Sequence, residues 1–159
     1  MKRHAPYLFL TGILIVLDQV SKSLIVSKIG PFESLPVIRG FFSLTHVRNT
    51  GGIFGVFNAS AHRWIPYVLT GLTVIALSFV MAYFLRTPAS QKLLRTSLAI
   101  IMAGAVGNLL DRVLRGYVVD FLDLHVRGFT WPTFNVADSC ISVGAVLLIF
   151  IFFIRRKSS

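Results

Sequence analysis

Residues 65–85 read IPYVLTGLTVIALSFVMAYFL, an apolar run without a charged side chain. A helix needs about 20 apolar residues to cross ~30 Å of hydrocarbon, so this run predicts a membrane-spanning helix. Three other apolar runs approach the same length, at 7–26, 94–110 and 137–154. The sequence therefore predicts an all-α membrane protein with four transmembrane helices.

The composition of the 159 residues supports the same class. Hydrophobic residues make up 55% and charged residues 14%, whereas about 25% of an ordinary soluble domain is charged. With a mean hydropathy of +0.75, the composition excludes a disordered chain and argues against a soluble globule. The length fits one membrane-embedded domain over residues 1–159.

The cysteine and histidine content excludes two further classes of protein. Cys140 is the single cysteine, so the chain cannot hold an internal disulfide framework. No Cys/His pair has the spacing of zinc ligands. We therefore expect no metal and no other cofactor.

The formal net charge of +10 first indicates orientation in the membrane. Segments 1–6, 86–93 and 155–159 hold seven basic residues in 19 positions, whereas loops 27–64 and 111–136 hold seven in 64, beside four acids. This bias predicts that both termini are cytoplasmic and that both long loops face outward. Contact with membrane phospholipid also fits the charge. Because no run of consecutive basic residues is longer than the three at 155–157, we expect no nucleic-acid partner.

The basic residues at the start of the chain, followed by an apolar run, are similar to the start of a signal peptide. Lys2, Arg3 and His4 precede the first apolar run. However, no small-x-small cleavage site follows, and Asp18 and Lys22 occupy the region where one would be needed. The first run is therefore interpreted as a retained helix.

The first long loop has the composition of a strand followed by a turn. Residues 41–47 favour a strand, 49–52 a turn and 53–57 a return strand. They predict a small extracytoplasmic β-sheet on the outer membrane surface, beside an amphipathic loop that could close over a site. The expected interfacial anchors are Trp64, Tyr67, Phe129 and Trp131.

Any carboxylate chemistry must use six acidic residues: Asp18, Glu33, Asp111, Asp120, Asp123 and Asp138. Inside a membrane such groups are costly and usually functional. Asp18 and Lys22 are spaced i, i+4 in the order that favours a helical ion pair. We expect them to neutralise each other inside the bundle, with a role in proton passage as the alternative. Asp123 has the features of an exposed loop charge.

The acids at the outer ends of the spans each have a local explanation. Asp111 can pair with its neighbour Arg112 at the negative end of a helix. Asp138 opens the fourth run, where the helix dipole favours an acid and Asn135 can serve as N-cap. Asp120 is flanked by valine and phenylalanine, so partial desolvation should raise its pKa.

Asp111, Asp120 and Asp138 nevertheless all fall on the same face of the membrane. Two carboxyl groups brought together in a poorly hydrated place cannot both ionise, so they share one proton. One can then activate water while the other protonates the carbonyl oxygen or leaving nitrogen. Such a pair hydrolyses an amide without a metal or a covalent intermediate.

Competing hydrolytic chemistries lack their motifs. The sequence contains neither G-x-S-x-G nor H-E-x-x-H. Ser21 and Lys22 point about 100° apart around a helix, so they do not face each other as a catalytic pair would. Cys140 lies in an apolar run and is interpreted as a packing residue. An aspartic pair is the enzyme hypothesis that remains.

Five motifs follow one another along the chain: 17–22 (LDQVSK), 49–55 (NTGGIFG), 107–112 (GNLLDR), 116–121 (GYVVDF) and 134–138 (FNVAD). In this order they closely resemble the motifs of bacterial lipoprotein signal peptidases, the signal peptidase II family. The resemblance covers nearly the whole chain. It implies an aspartic endopeptidase of the bacterial inner membrane, which cuts the signal peptide from prolipoproteins just before a diacylglyceryl-modified cysteine.

The resemblance also implies roles for individual residues. By match, the catalytic pair is Asp120 and Asp138. The substrate-site residues are Asn49, Gly51, Asn108, Arg112 and Asn135, and the residues that hold the architecture are Asp18, Lys22 and Asp111. Ile53 departs from the alanine usual in the family, which bears on the preferred substrate sequence. The implied partners are diacylglyceryl-modified prolipoprotein signal peptides and phospholipid, and we expect a monomer.

Two other classes remain as alternatives. One is a small proton-coupled transporter with Asp18 or Asp120 as its proton-binding acid, and the other is a scaffold subunit without activity. Two long outer loops, and acids grouped at one face of the membrane, argue against the transporter.

Overall fold

The computed structural model describes residues 3–51, 64–126 and 128–157. The helices are α1 (Ala5–Lys28), α2 (Ile65–Arg86), α3 (Lys92–Arg115) and α4 (Val136–Lys157), and the strands are β1 (Ser34–Ile38), β2 (Phe42–Asn49), β3 (Val118–Val126) and β4 (Phe129–Thr130). All four helices are long and apolar enough to cross a membrane. The prediction of four transmembrane helices with a small β-sheet is confirmed.

Helix α3 is the central helix of the bundle and packs against the other three. It runs five residues past the predicted end at 110, because nothing in its sequence interrupts the helix before Gly116. Gly116 caps it with a positive φ of 79°, a conformation that favours glycine. Asp111 and Arg112 therefore lie a full turn inside the helix, and not in a loop.

Small residues on α3 allow α1 to approach closely, as their four-residue spacing predicts. A Cβ at Gly107 would lie 2.6 Å from Oδ2 of Asp18, so only glycine leaves room for that carboxylate. About two turns earlier on α3, the backbone carbonyl of Ala99 accepts a hydrogen bond from Thr11 at 3.0 Å. Glycine thus lets a charged side chain of α1 lie directly against α3.

The sheet is antiparallel throughout, in the order β1-β2-β3-β4. The predicted strand at 41–47 is found as β2, while the suggested return strand at 53–57 lies outside the described residues. In the described part of the chain, β2 pairs with β1 and with β3, which places Asn49 opposite Val118. The segment around Asp120 is thus a strand, and not part of a loop over 111–136 as the sequence predicts.

A core of four apolar residues fixes the sheet to one end of the bundle. Ile25 and Ile29 from the end of α1 pack with Val119 and Phe121 of β3. Asp120 lies between Val119 and Phe121 on β3, and its side chain points to the opposite face of the strand. We call this end of the molecule the sheet end. A second core lies among the helices and contains Phe84, Leu94, Leu98, Ala99, Met102 and Ile151.

Candidate active site

The first turn of α4 orients Asp138. Asn135 is the N-cap of the helix, since its Oδ1 accepts a hydrogen bond from the backbone N–H of Asp138 at 2.9 Å. In return, Oδ2 of Asp138 accepts from the backbone N–H of Asn135 at 3.3 Å. This reciprocal arrangement has the form of a capping box and confirms the N-cap predicted for Asn135.

Strand β3 brings Asp120 to the same asparagine. The side-chain Nδ2 of Asn135 donates to Oδ1 of Asp120 at 2.6 Å, and Nδ2 of Asn49 donates to Oδ2 at 2.9 Å. Asp120 is 3% exposed. Because Asn135 contacts both Asp120 and Asp138, one residue joins the two carboxyl groups.

The environment of Asp120 changes its acidity. Burial raises its pKa from 3.8 to about 6, and the charge of Asp138 adds to the rise. The hydrogen bonds from Asn49 and Asn135 and the charge of Lys22 oppose it. A carboxyl group with this pKa can exchange a proton near neutral pH.

The amide of Asn108 links Asp138 to a buried cation. Its Nδ2 donates to Oδ1 of Asp138 at 2.7 Å, and its Oδ1 accepts from Lys22 at 3.0 Å and from Asn135 at 3.2 Å. All the hydrogen-bonding atoms of this side chain are thus directed toward the site.

Lys22 and Asp18 form the ion pair that their spacing predicts. The Nζ atom lies 2.8 Å from Oδ2 of Asp18 and 3.0 Å from Oδ2 of Asp111. The three side chains are at most 1% exposed. A buried cation of this kind requires such partners, because an unpaired charge in the interior is very costly.

The predicted pairing of Asp111 with Arg112 is wrong. Among the ion pairs of the described residues, Asp111 joins Lys22 and Arg115. Adjacent residues point about 100° apart around a helix, whereas residues four apart lie on the same face. The i, i+4 spacing of Asp111 and Arg115 was the signal in the sequence that could have shown this.

Arg112 instead faces a cavity. The cavity has a volume of about 330 Å³ and lies between α2, α3 and α4. Its polar end is formed by Asn108, Arg112 and Asp138, and its apolar wall by Thr73, Ala76, Leu77, Val80, Ile101, Ala105 and Ile141. Carboxylate, amide and guanidinium groups therefore meet an apolar space inside the bundle.

Gly51 connects to the same site through Asn49. Its backbone N–H donates to Oδ1 of Asn49 at 2.9 Å, and its φ of 116° favours glycine. A Cβ here would lie 3.2 Å from Ile65 in the first turn of α2. The turn thus orients the amide that donates to Asp120.

Hydrogen bonds and ion pairs connect all ten residues singled out from the sequence. Three further residues are not among those that the sequence analysis names. Gln19 donates from its side chain to Asp18, to Asp111 and to the carbonyl of Gly107. His46 is buried beneath the sheet, with Nδ1 2.8 Å from the carbonyl of Ile29, and Arg115 pairs with Asp111. The position of Gln19 beside Asp18 was its visible signal, whereas His46 gave none.

Asp123 does not behave as a loop charge. It lies on β3 with a side chain that is 14% exposed, 3.1 Å from Nε2 of His125, and it accepts a hydrogen bond from Thr45. Asp120 and Asp123 are an odd number of residues apart, so they point to opposite faces of the strand. Over the described ranges, no group of three His, Cys, Asp or Glu residues could hold a metal ion.

The fold and this site define a class: a polytopic membrane protein with two linked carboxyl groups at one end of its bundle. Comparison with known proteins identifies the family. The signal peptidase (SPase) II family profile matches residues 10–154. The chain belongs to the signal peptidase II family, and it is therefore a peptidase and a multi-pass bacterial membrane protein.

Individual relatives agree with this assignment. The lipoprotein signal peptidase of Ralstonia nicotianae is 47% identical over 91% of this chain and 82% of its own length. That of Syntrophus aciditrophicus is 38% identical over 90% and 89%. A solved structure of a bacterial membrane enzyme superposes with a TM-score of 0.86, at 28% identity, over 98% of this chain and 92% of that one.

Proposed function

We propose that this chain removes the signal peptide from prolipoproteins by cutting just before a diacylglyceryl-modified cysteine, with Asp120 and Asp138 as the catalytic pair. One observation carries the proposal: Asn135 holds both carboxyl groups, and one of them lines an apolar cavity. Relatives named lipoprotein signal peptidase support the substrate class. The core shared by α1 and β3 supports treating 1–159 as one peptidase domain.

The catalytic step follows from one proton shared by two carboxyl groups. The ionised member takes a proton from water, whose oxygen attacks the carbonyl carbon of the scissile amide. The protonated member gives its proton to the carbonyl oxygen, which produces a tetrahedral diol. When the diol collapses, one carboxylate takes a hydroxyl proton, the other carboxyl protonates the nitrogen, and the C–N bond breaks. The pair ends with one proton, as it began.

The cavity supports the substrate assignment. Its apolar wall suits the hydrophobic end of a signal peptide or an acyl chain, and both can enter sideways from the bilayer. The one described side-chain hydrogen bond of Arg112 is a 3.5 Å contact with the carbonyl of Asn108. Arg112 lines the cavity beside Asp138, so its remaining N–H groups can bind a substrate carbonyl. We assign Asn49, Gly51, Asn108, Arg112 and Asn135 to substrate binding and to orientation of the pair.

The orientation in the membrane belongs to the same proposal. The distribution of basic residues supports an orientation with both termini in the cytoplasm and the sheet end at the outer, periplasmic face. The exposed apolar sides of the helices contact phospholipid, and the enzyme acts as a monomer. A periplasm-active reporter fused at Gly128 should be active, and the same reporter at Pro88 should be inactive. The reverse pattern would contradict the assignment of the catalytic side.

The direct test is cleavage of a diacylglyceryl-modified lipoprotein precursor by the purified chain. Mass spectrometry of the products should show one cut, immediately before the modified cysteine. The same precursor without the lipid serves as control for substrate class and should be cut far more slowly. Cleavage at another bond, or equal cleavage without the lipid, would overturn the proposed specificity.

A further inference from the structure

We propose that Lys22 is a positioning residue of the peptidase site, since it joins the backbone segments that carry the two catalytic carboxyl groups and sets the orientation of Asn108. This inference rests on the proposed function and deepens it. It assigns to the buried ion cluster a task in catalysis, beyond holding the helices together.

The first support is the number of partners around the ammonium group. An ammonium has three N–H donors and no acceptor. Three oxygens lie within hydrogen-bond distance of Nζ, from Asp18 at 2.8 Å, Asp111 at 3.0 Å and Asn108 at 3.0 Å. The side chain is fully buried. Each donor therefore has one partner, and each partner leads to a different part of the site.

The two acids bind the segments on which the catalytic residues lie. Oδ1 of Asp18 accepts from the backbone N–H of Ala137 at 2.9 Å, one residue before Asp138. Oδ2 of Asp111 accepts from the backbone N–H of Val119 at 3.0 Å, one residue before Asp120. Because Lys22 binds both acids, it sets the separation between the start of α4 and strand β3.

Lys22 sets the direction of its third partner, Asn108, together with Asn135, which also donates to Oδ1 of Asn108. An ammonium cannot accept a hydrogen bond, so the amide must turn its oxygen toward Lys22. Its NH2 group then faces Asp138, to which it donates at 2.7 Å. Turned by 180°, this amide would place its NH2 group against the ammonium of Lys22 and the NH2 group of Asn135, and its oxygen against the carboxylate of Asp138, so that all three hydrogen bonds would become repulsive contacts.

The charge of Lys22 also reaches the catalytic pair. The charged groups around Asp120 are Asp138 on α4, Lys22 on α1 and Arg112 on α3, while β2 contributes the neutral Asn49. Lys22 lowers the pKa of Asp120. Loss of this cation should therefore move the alkaline limb of the pH–rate profile to higher pH.

The experiment compares three purified variants in their complete chains. Lys22→Met removes the cation. Lys22→Met combined with Asp111→Asn removes one charge of each sign, and the asparagine oxygen can still accept from Val119. Arg95→Met is the matched control, because Arg95 is an equally buried cation at the opposite end of the bundle, 1% exposed.

In both Lys22 variants, kcat per folded molecule should fall about 100-fold, the scale of a misplacement of about 1 Å. KM should stay near the wild-type value, and the alkaline limb should move to higher pH. Arg95→Met should lower the melting temperature but leave kcat and the pH profile unchanged. If Lys22 only stabilised the fold, the activity of its variants would decrease in proportion to the fraction of folded molecules, and kcat per folded molecule would not change.

A second measurement needs no cleavage. The side-chain amide protons of Asn108, followed by NMR, should lose the low-field shift of a hydrogen bond to carboxylate in both Lys22 variants and keep it in Arg95→Met. If the wild type does not cut the lipidated precursor, the proposed function fails, and this signal still tests the positioning. An unchanged Asn108 signal overturns the inference. So does wild-type kcat per folded molecule, or failure of both Lys22 variants to fold when Arg95→Met does fold.

Discussion

The two ends of the helix bundle each bury a cation, and they surround it differently. At the sheet end, Lys22 is bound by two carboxylates and an amide. At the opposite end, Arg95 donates to the backbone carbonyls of Thr87 and Arg3, at 3.2 and 2.8 Å, and lies 3.2 Å from Nδ1 of His4. The rings of Tyr7 and Phe84 cover the guanidinium of Arg95.

The two ends differ in whether the groups that bind the cation can take part in proton transfer. The carbonyl oxygens and aromatic rings around Arg95 do not take up a proton near neutral pH. Burial and the charges of Arg95 and Arg3 lower the pKa of the remaining partner, the imidazole of His4, which favours its neutral form. Arg95 thus ties the amino-terminal residues to the α2–α3 turn. Around Lys22 the partners are carboxylates and amides with remaining polar atoms, and these atoms extend the network to Asp120 and Asp138. A buried cation is thus held by backbone carbonyl groups and aromatic rings at one end, and by a network that includes the two proposed catalytic carboxyl groups at the other.

The largest expected effect is a loss of catalysis, and it should separate the two proposed catalytic acids from the other acids at the sheet end. Asp120→Asn and Asp138→Asn should each lower kcat by several orders of magnitude, because in the proposed mechanism each carboxyl group has an obligatory role in proton transfer. The melting temperature should stay near that of the wild type, since asparagine is nearly isosteric with aspartate. The double variant should be little worse than either single one, because the pair acts as a unit.

The measurement is cleavage of the lipidated precursor by each purified variant, with melting recorded in parallel. Asp123→Asn is the matched control, because Asp123 lies on the same strand but on its other face. Only a mild effect is expected there. Retained cleavage in either Asp120→Asn or Asp138→Asn would falsify the catalytic assignment.

The next effect is on stability at the sheet end. Asp18→Asn should lower the free energy of unfolding by roughly 3–5 kcal/mol, because it removes one of the carboxylates that compensate buried Lys22. Glu33→Gln is the control and should change almost nothing, since Glu33 lies in an exposed turn. Thermal unfolding in detergent measures both. A wild-type melting temperature for Asp18→Asn would mean that Asp111 alone compensates the cation.

A loss of stability of similar size, but without a loss of kcat, is expected at the opposite end. Arg95→Met removes charge-assisted hydrogen bonds to two carbonyl groups, each worth about 1.5–3 kcal/mol, while methionine retains much of the packing. Unfolding measurements should therefore show a destabilised enzyme with unchanged kcat per folded molecule. A loss of kcat beyond the folded fraction would break the distinction between the two ends.

The smallest effect is a dependence on pH at the sheet end alone. Burial raises the pKa of Asp120 to about 6, so the pair keeps its shared proton below this pH and loses it above. The kcat/KM of the free enzyme should fall with rising pH beyond about 6. Because the folded-state pKa exceeds the unfolded value of 3.8, the free energy of unfolding should also decrease as pH rises from about 3.8 to 6. If kcat/KM did not change between pH 5 and 8, the proposal that Asp120 and Asp138 share one proton below about pH 6 would be contradicted.

Local patterns along the chain were enough to predict part of the site. The four spans follow from apolar length, the Asp18–Lys22 pair from i, i+4 spacing, and the N-cap role of Asn135 from its place before α4. The pairing of Asp111 was mistaken because chain neighbours were taken for spatial neighbours. The valine and phenylalanine content of β3 favours a strand, but its partner strand is some 70 residues away in sequence, and local patterns do not reveal such pairing.

The amino-acid sequence by itself determined the membrane class, the number of helices and the motifs that resemble a peptidase family. These depend on hydrophobic length and on residue order, which are properties of the chain. Only the tertiary structure decided that Asn135 contacts both carboxyl groups, that Lys22 joins their two backbone segments, and that Arg112 faces a cavity. Such contacts arise between α1, α3, β3 and α4, and their geometry depends on how closely those elements pack. Gly107 is the clearest case: its missing side chain is visible in the sequence, but its purpose appears only when Asp18 occupies the space.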